Sequence, residues 1–147
     1  MKQRTRARGI ALQVLYEVDQ SDHLPGTVYA QRIKDEPLGE ALEEFARQIV
    51  FGVLPLTEEL DQIIAQHAPE WPFEQIAPID RNILRIAFWE FGINQKTPVK
   101  VAINEAVELA KTYGSDTAPG FINGVLGSLA KHQEEILQTI QKADLPK

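Results

Sequence analysis

Apolar residues recur along this chain at the three- and four-residue spacing of amphipathic helices, and period-two alternation is rare, so the pattern predicts an all-α bundle of about seven helices. The first is expected from about Thr5 to Gln20, where Ala7, Ile10, Ala11, Val14, Leu15 and Val18 share one face. Pro25 suits the first turn of a short second helix, which has no N–H to lose there. A third, about Pro37 to Leu54, keeps the rhythm through Leu38, Ala41, Leu42, Phe45, Ile49 and Val53. Thr57 is the expected N-cap of a fourth, with Glu58 and Glu59 where the helix dipole favours anions and Leu60, Ile63 and Ile64 turned inward. Pro69 and Pro72 should end it.

The proline-containing stretch Ala68 to Pro78 is the expected tight connection between two packed halves of one domain, about 1–77 and about 78–147. Beyond it, Ile79, Ile83, Leu84, Ile86, Ala87, Phe88, Trp89 and Phe91 leave only a narrow polar edge at Arg81, Asn82 and Arg85. A helix so apolar belongs in the middle of a bundle. Asp80, just before it, reads as an N-cap. Pro98 precedes a sixth helix, about Val101 to Tyr113, with Ile103 in the core and Gly114 as its stop. The last helix begins near Pro119 and buries Ile122, Val125, Leu126 and Leu129, with Gly124 and Gly127 expected to permit close helix approach. Past Lys131 the pattern thins and the tail is expected to fray.

Composition narrows the function. With 147 residues and 44% hydrophobic content the chain can bury one compact core. No apolar run approaches the roughly 18 residues of a membrane span, and the basic N-terminus lacks a signal peptide's apolar stretch, which suits a cytoplasmic protein. There is no cysteine, and His23, His67 and His132 stand far apart, so neither a metal site nor a cofactor is expected. Without a clustered base, a Gly-rich phosphate loop or a telling carboxylate pair, the chain does not read as an enzyme. Glu105 and Glu108, with Lys111 on the same helix, read as a salt-bridged surface.

Charge is divided unevenly. Residues 1–16 hold Lys2, Arg4, Arg6 and Arg8 and no acid, whereas the rest holds 11 basic and 21 acidic residues. This is a basic arm on an acidic body, able to neutralise phosphates and to gain order when RNA docks, or simply a solvated terminus. On a helical wheel Arg4 and Arg8 share one flank of the apolar stripe and Arg6 takes the other. Leu12 and Tyr16 continue the first flank as a second apolar strip, either packed internally or meeting a partner. The loop from Gly114 to Gly120 leads into the last helix, whose first N–H groups attract anions. Phe121 in that first turn is placed either to stack an unpaired base or to pack in the core, and Lys111 could add charge.

These residues resemble the NusB family of bacterial transcription antitermination factors. Arg4-Thr5-Arg6-Ala7-Arg8 with Ala11 and Gln13-Val14-Leu15-Tyr16 looks like its opening helix, and Ile83-Leu84-Arg85-Ile86-Ala87 with Glu90 like its central one. The run from Pro98 to Lys111, containing Ala102-Ile103-Asn104-Glu105-Ala106, is the most specific match, and Phe121-Ile122-Asn123-Gly124-Val125-Leu126 completes the order. The resemblance implies a NusB-like all-α fold that pairs with the ribosomal protein NusE to bind single-stranded boxA RNA. It also implies a role in the antitermination complex of RNA polymerase, notably on ribosomal RNA operons. Carried over by position, Arg4, Arg6, Arg8 and Phe121 would contact RNA and Tyr16 would face the partner. Thr117 falls where some relatives carry an acid. Family members differ in homodimer formation, and that stays open here. Two other readings remain: the helical RNA-recognition domain of RNA cytosine methyltransferases, and a protein-only adaptor.

Overall fold

The computed structural model describes residues 2–142, with side chains described through residue 138. Among these residues there are eight α-helices, two 3-10 turns and one π-helical segment, and no strand. The chain forms two compact units, Met1–Pro55 and Leu56–Lys147. The division thus falls earlier than the proline-rich stretch suggests. The reason is local: the helix after Pro55 packs on the central helix of the second unit, so the prolines at 69, 72 and 78 shape a turn inside that unit.

The first unit holds α1 (Gln3–Gln20), α2 (Pro25–Asp35) and α3 (Glu40–Val53), with α1 packed on both others. From Ala7 to Leu12, α1 is buried at every position, and Val14 and Leu15 extend the core. Leu12 therefore belongs to the interior with the main stripe, whereas Tyr16, at the end of the same strip, is exposed. Pro25 opens α2 as expected. α3 starts later than the pattern predicts because Gly39 adopts φ +94, a conformation that L side chains avoid. Glu43 then reaches back to the N–H groups of Leu38 and Gly39, both at 3.0 Å, which closes the helix start. Leu38 consequently precedes the helix, and Ala41 is exposed. Arg32 joins α2 to α1 by donating to Gln13 at 2.8 Å and Glu17 at 3.3 Å.

The second unit packs α4 (Thr57–Gln66), α6 (Val99–Tyr113) and α7 (Ala118–Lys131) around α5 (Pro78–Phe88), and sets α8 (Gln133–Lys142) against α7 and the segment that follows α5. The π-helical segment Trp89–Asn94 continues α5 and ends at Gln95, whose φ is +61. From Asn82 to Ile93 every residue is buried, so α5 is the central helix that its composition predicts. Leu84 is fully buried, but Ile103 on α6 is only half-buried. Of the polar edge, Arg81 is partly exposed but Asn82 and Arg85 are buried. Arg85 donates to both carboxylate oxygens of Asp61 on α4, at 2.6 and 2.7 Å, and to Asn82 at 3.0 Å. Asn82 in turn donates to the carbonyl of Pro78 at 2.9 Å, so a buried guanidinium is matched in charge and hydrogen bonding.

Neither Thr57 nor Asp80 caps a helix. The N-cap of α4 is Leu56, and that of α5 is Ala77, followed by Pro78. Gly114 ends α6 with extended backbone, and its need for glycine is steric: an added Cβ would lie 2.7 Å from that of Ala118 and 2.9 Å from the carbonyl of Ala110. Gly124 and Gly127 face open space, so they do not mediate helix approach. Instead of fraying after Lys131, the chain forms α8. It buries Ile136 and is tied to the carbonyl of Phe91 by Gln133 at 3.0 Å. The tail beyond residue 142 lies outside the described residues.

His67 ends α4 and His132 ends α7, with ring centroids 5.2 Å apart. His67 Nδ1 contacts Ser128 Oγ at 2.8 Å, and His132 Nδ1 contacts the Ser128 carbonyl at 2.9 Å. Burial, followed by the field of His132, pushes His67 below its ordinary value of 6.5, with Glu135 opposing. The unfolded chain therefore protonates this ring first as pH falls, and stability should drop on acidification from 6.5 towards the lower folded value. Urea denaturation at about pH 7.5 and about pH 5.5 tests this. His67→Gln should lose less stability between the two than the parent, and an equal loss in both would contradict it.

Candidate nucleic-acid interface

Two surface regions carry the sequence-predicted site residues, one on each unit. On the first unit the basic arm is part of α1 and not a disordered extension, since the helix begins at Gln3. Arg4 and Arg8 do share one flank. Both guanidinium groups lie over the ring of Phe45 on α3, 4.8 and 5.0 Å from its centroid, where the negative π face attracts a cation. Arg6, on the opposite flank, pairs with Glu36 at 3.1 Å, with both side chains over two-fifths exposed.

Exposure separates the four cations. Lys2, Arg4 and Arg6 are accessible, whereas Arg8 is only 2% exposed and is committed to the interior. A phosphate contact by Arg8 is thus corrected to a packing role: its stem fills the core and its head, with that of Arg4, rests on Phe45. Phe45 was legible only as an apolar helix position. The Arg6–Glu36 pair is exposed and of low net worth, so a phosphate can replace the carboxylate at small cost.

Tyr16 is 39% exposed and remains available to a partner. Leu12 is 0% exposed, which corrects its assignment to a partner surface. About one turn of helix separates an inward and an outward fate for the same strip, because the α1 core ends at Leu15.

On the second unit, Ser115 to Thr117 enters α7, with Thr117 at the N-cap. Few donors remain at this end. The N–H of Ala118 is taken by the Ser115 carbonyl at 3.0 Å, that of Phe121 by the Thr117 carbonyl at 3.2 Å, and Pro119 has none. The expected cradle of several free N–H groups is therefore absent, and Phe121 must act through its ring. That ring is half-buried and borders two clefts, of about 290 and about 300 Å³. Trp71, 53% exposed, borders both as well. Trp71 was not among the sequence candidates, although an aromatic between Pro69 and Pro72 in a turn has little core to reach. Lys111 on α6 is exposed and pairs with Glu108 at 3.4 Å, the i, i+3 pair that the spacing predicts.

No group of three or more metal-binding side chains occurs among the described residues, and no described helix is long and apolar enough to cross a membrane. Of known families, the NusB family model matches residues 5–131. A transcription antitermination protein NusB of Roseiflexus sp. strain RS-1 is 48% identical over 134 residues, covering 90% of this chain and 94% of that protein. Among solved structures, T. maritima NusB superimposes with a TM-score of 0.81 at 28% identity, covering 92% of this chain and 96% of that one. A structure of the antitermination factors NusB and NusE in complex with dsRNA matches with a TM-score of 0.78 at 26% identity, covering 95% and 98%. An arginine-bearing first helix, a buried central helix and near-complete coverage by these relatives lead to one assignment: the chain belongs to the NusB family.

Proposed function

We propose that this chain is a non-enzymatic transcription antitermination factor that binds boxA-type single-stranded RNA together with NusE in the cytoplasm, within the RNA polymerase antitermination complex of ribosomal RNA operons. The observation that carries the RNA reading is the accessible cationic edge of α1, formed by Lys2, Arg4 and Arg6 on a chain whose remainder is strongly acidic. Nucleic acid is repelled by such a body and attracted by such an edge. A basic ribosomal protein would find the acidic remainder favourable, and this supports NusE as the second component. The kinship with a NusB solved in complex with NusE and dsRNA supports NusE and RNA as the two kinds of ligand.

In this reading Lys2, Arg4 and Arg6 contact phosphates, Phe121 stacks a base, Lys111 adds charge and Tyr16 faces the protein partner. Gel-shift binding of boxA-like single-stranded RNA, with and without NusE, tests it. Tight binding is expected only with NusE, and failure to bind single- or double-stranded RNA under either condition would overturn it. Phe121→Leu keeps apolar volume but removes the flat ring. It should weaken RNA binding by about 5- to 150-fold while NusE still binds, and unchanged RNA affinity would return Phe121 to packing alone.

A further inference from the structure

The turn that joins α5 to α6 is held in an unusual shape. The π-helical segment Trp89–Asn94 ends α5, and such segments are rare and often mark functional regions. Gln95 then takes φ +61, which side chains other than glycine seldom adopt. It is pinned there by its own N–H, which donates to the Glu90 carbonyl at 3.0 Å, and by its side-chain amide, which donates to the Gly92 carbonyl at 3.2 Å. Glu90 is only 2% exposed, and its carboxylate accepts from the Thr97 hydroxyl across the turn at 2.9 Å. A buried carboxylate is thus committed in part to the shape of a surface connection.

What this fixed turn presents is positive and partly apolar. From Phe91 to Asn104 the chain contains Lys96 and Lys100 and no acid, within a protein of net charge -6. Both lysines are exposed, and among the described residues neither forms an ion pair or a hydrogen bond. No acid in the first turn of α6 offsets them. Val101 stands beside Lys100 with 44% of its surface exposed, and Pro98 is exposed as well. An apolar centre flanked by unmatched charge suits a contact with another protein.

Charge and chemistry narrow the occupant. In the proposed function NusE is a basic protein drawn to the acidic remainder of the chain, and two lysines repel it. RNA is assigned to Phe121, whose cleft with Asp80 lies at the other end of α6. Gly114, which follows that helix, approaches Asp80, whereas the turn lies before its start, 15 residues or about 22 Å of helix away. Between Asn94 and Asn104 there is also no aromatic side chain to stack a base. We propose that the turn between α5 and α6 docks on an acidic protein face of the RNA polymerase complex, with Val101 against its apolar centre and Lys96 and Lys100 against its carboxylates.

The inference rests on the proposed place in the antitermination complex, which leaves the polymerase as the component without an assigned surface, and the test separates the two. The chain is treated with a lysine-acetylating reagent alone, with NusE, with boxA-like RNA, with both, and after RNA polymerase is added, and Lys96 and Lys100 are followed by mass spectrometry. Their modification should be unchanged by NusE and RNA and should fall severalfold with the polymerase. Lys96→Glu with Lys100→Glu alters only exposed positions, so that variant should bind NusE and RNA as the parent does and lose about tenfold or more in polymerase affinity. Protection by RNA alone or by NusE alone would make the turn a surface for those ligands and overturn the proposal. Polymerase binding that leaves both lysines reactive, or that survives the double reversal, would overturn it and leave the RNA and NusE reading intact. Binding of NusE and RNA but never of polymerase would overturn the docking surface and the polymerase part of the proposed function together. Protection by the polymerase without any binding of RNA would keep the docking surface and overturn the RNA reading. Should the double variant fail to fold, the acetylation pattern of the parent decides by itself.

Discussion

Asp61→Ala is expected to lower the stability of the protein by about 3 kcal/mol or more, a large share of what a small protein possesses. The change removes the carboxylate that holds the Arg85 guanidinium at 2.6 and 2.7 Å, and the Arg85 side chain is only 6% exposed. Water can approach from the Asp61 side, which is 23% exposed, so the effect should lie near the lower end of the range for a broken buried pair. The combined replacement Asp61→Leu with Arg85→Met removes both charges and should recover most of the loss, because a buried ion pair adds little over apolar packing. Denaturant midpoints at unchanged slope measure both. Parent-like stability of Asp61→Ala would show that the pair is not what satisfies Arg85.

The largest effect on binding is expected from the arm. Replacing Lys2, Arg4 and Arg6 together by Ala should reduce the slope of log K against log salt by about 2, since each neutralised phosphate of a single strand contributes about 0.7. Near 0.1 M salt this corresponds to roughly 100-fold weaker binding. Arg8 is left in place because it is buried, and its loss would disturb the core around Phe45. Helix content by circular dichroism should stay near that of the parent. An unchanged slope in a folded variant would remove the arm from the RNA site.

Much of this was legible in the sequence where it depended on neighbours along one helix. The α1 stripe, the sharing of one flank by Arg4 and Arg8, the buried run of α5 and the Glu108–Lys111 pair all follow from helical periodicity alone. What was not legible depends on partners distant in the chain. Asn82 and Arg85 read only as part of a narrow polar edge, with no partner assigned, because nothing in the sequence marks Asp61, 24 positions before Arg85, as the matching anion. Arg8 read as a phosphate contact because its ring partner, Phe45, sits on another helix. Glycines misled for a related reason: Gly114 looked like a conformational stop but is required by the proximity of Ala118, while Gly124 and Gly127 touch nothing. The α8 helix was missed because it rests on an intermittent apolar pattern and on Gln133 reaching the end of α5. At the candidate site, Phe121 was found from its place at a helix start, but Trp71 and Asp80 join it only through the fold of the second unit.

Whether RNA lies on these residues can be read directly by ultraviolet crosslinking of boxA-like single-stranded RNA to the chain in the presence of NusE, with the attachment sites located by mass spectrometry. Crosslinked peptides should come from the start of α1, around Lys2 to Arg6, and from the Trp71 and Phe121 region, and those at α1 should vanish in the triple alanine variant. RNA retained by the NusE mixture but crosslinked only to NusE, or only to other parts of this chain, would contradict the proposed site.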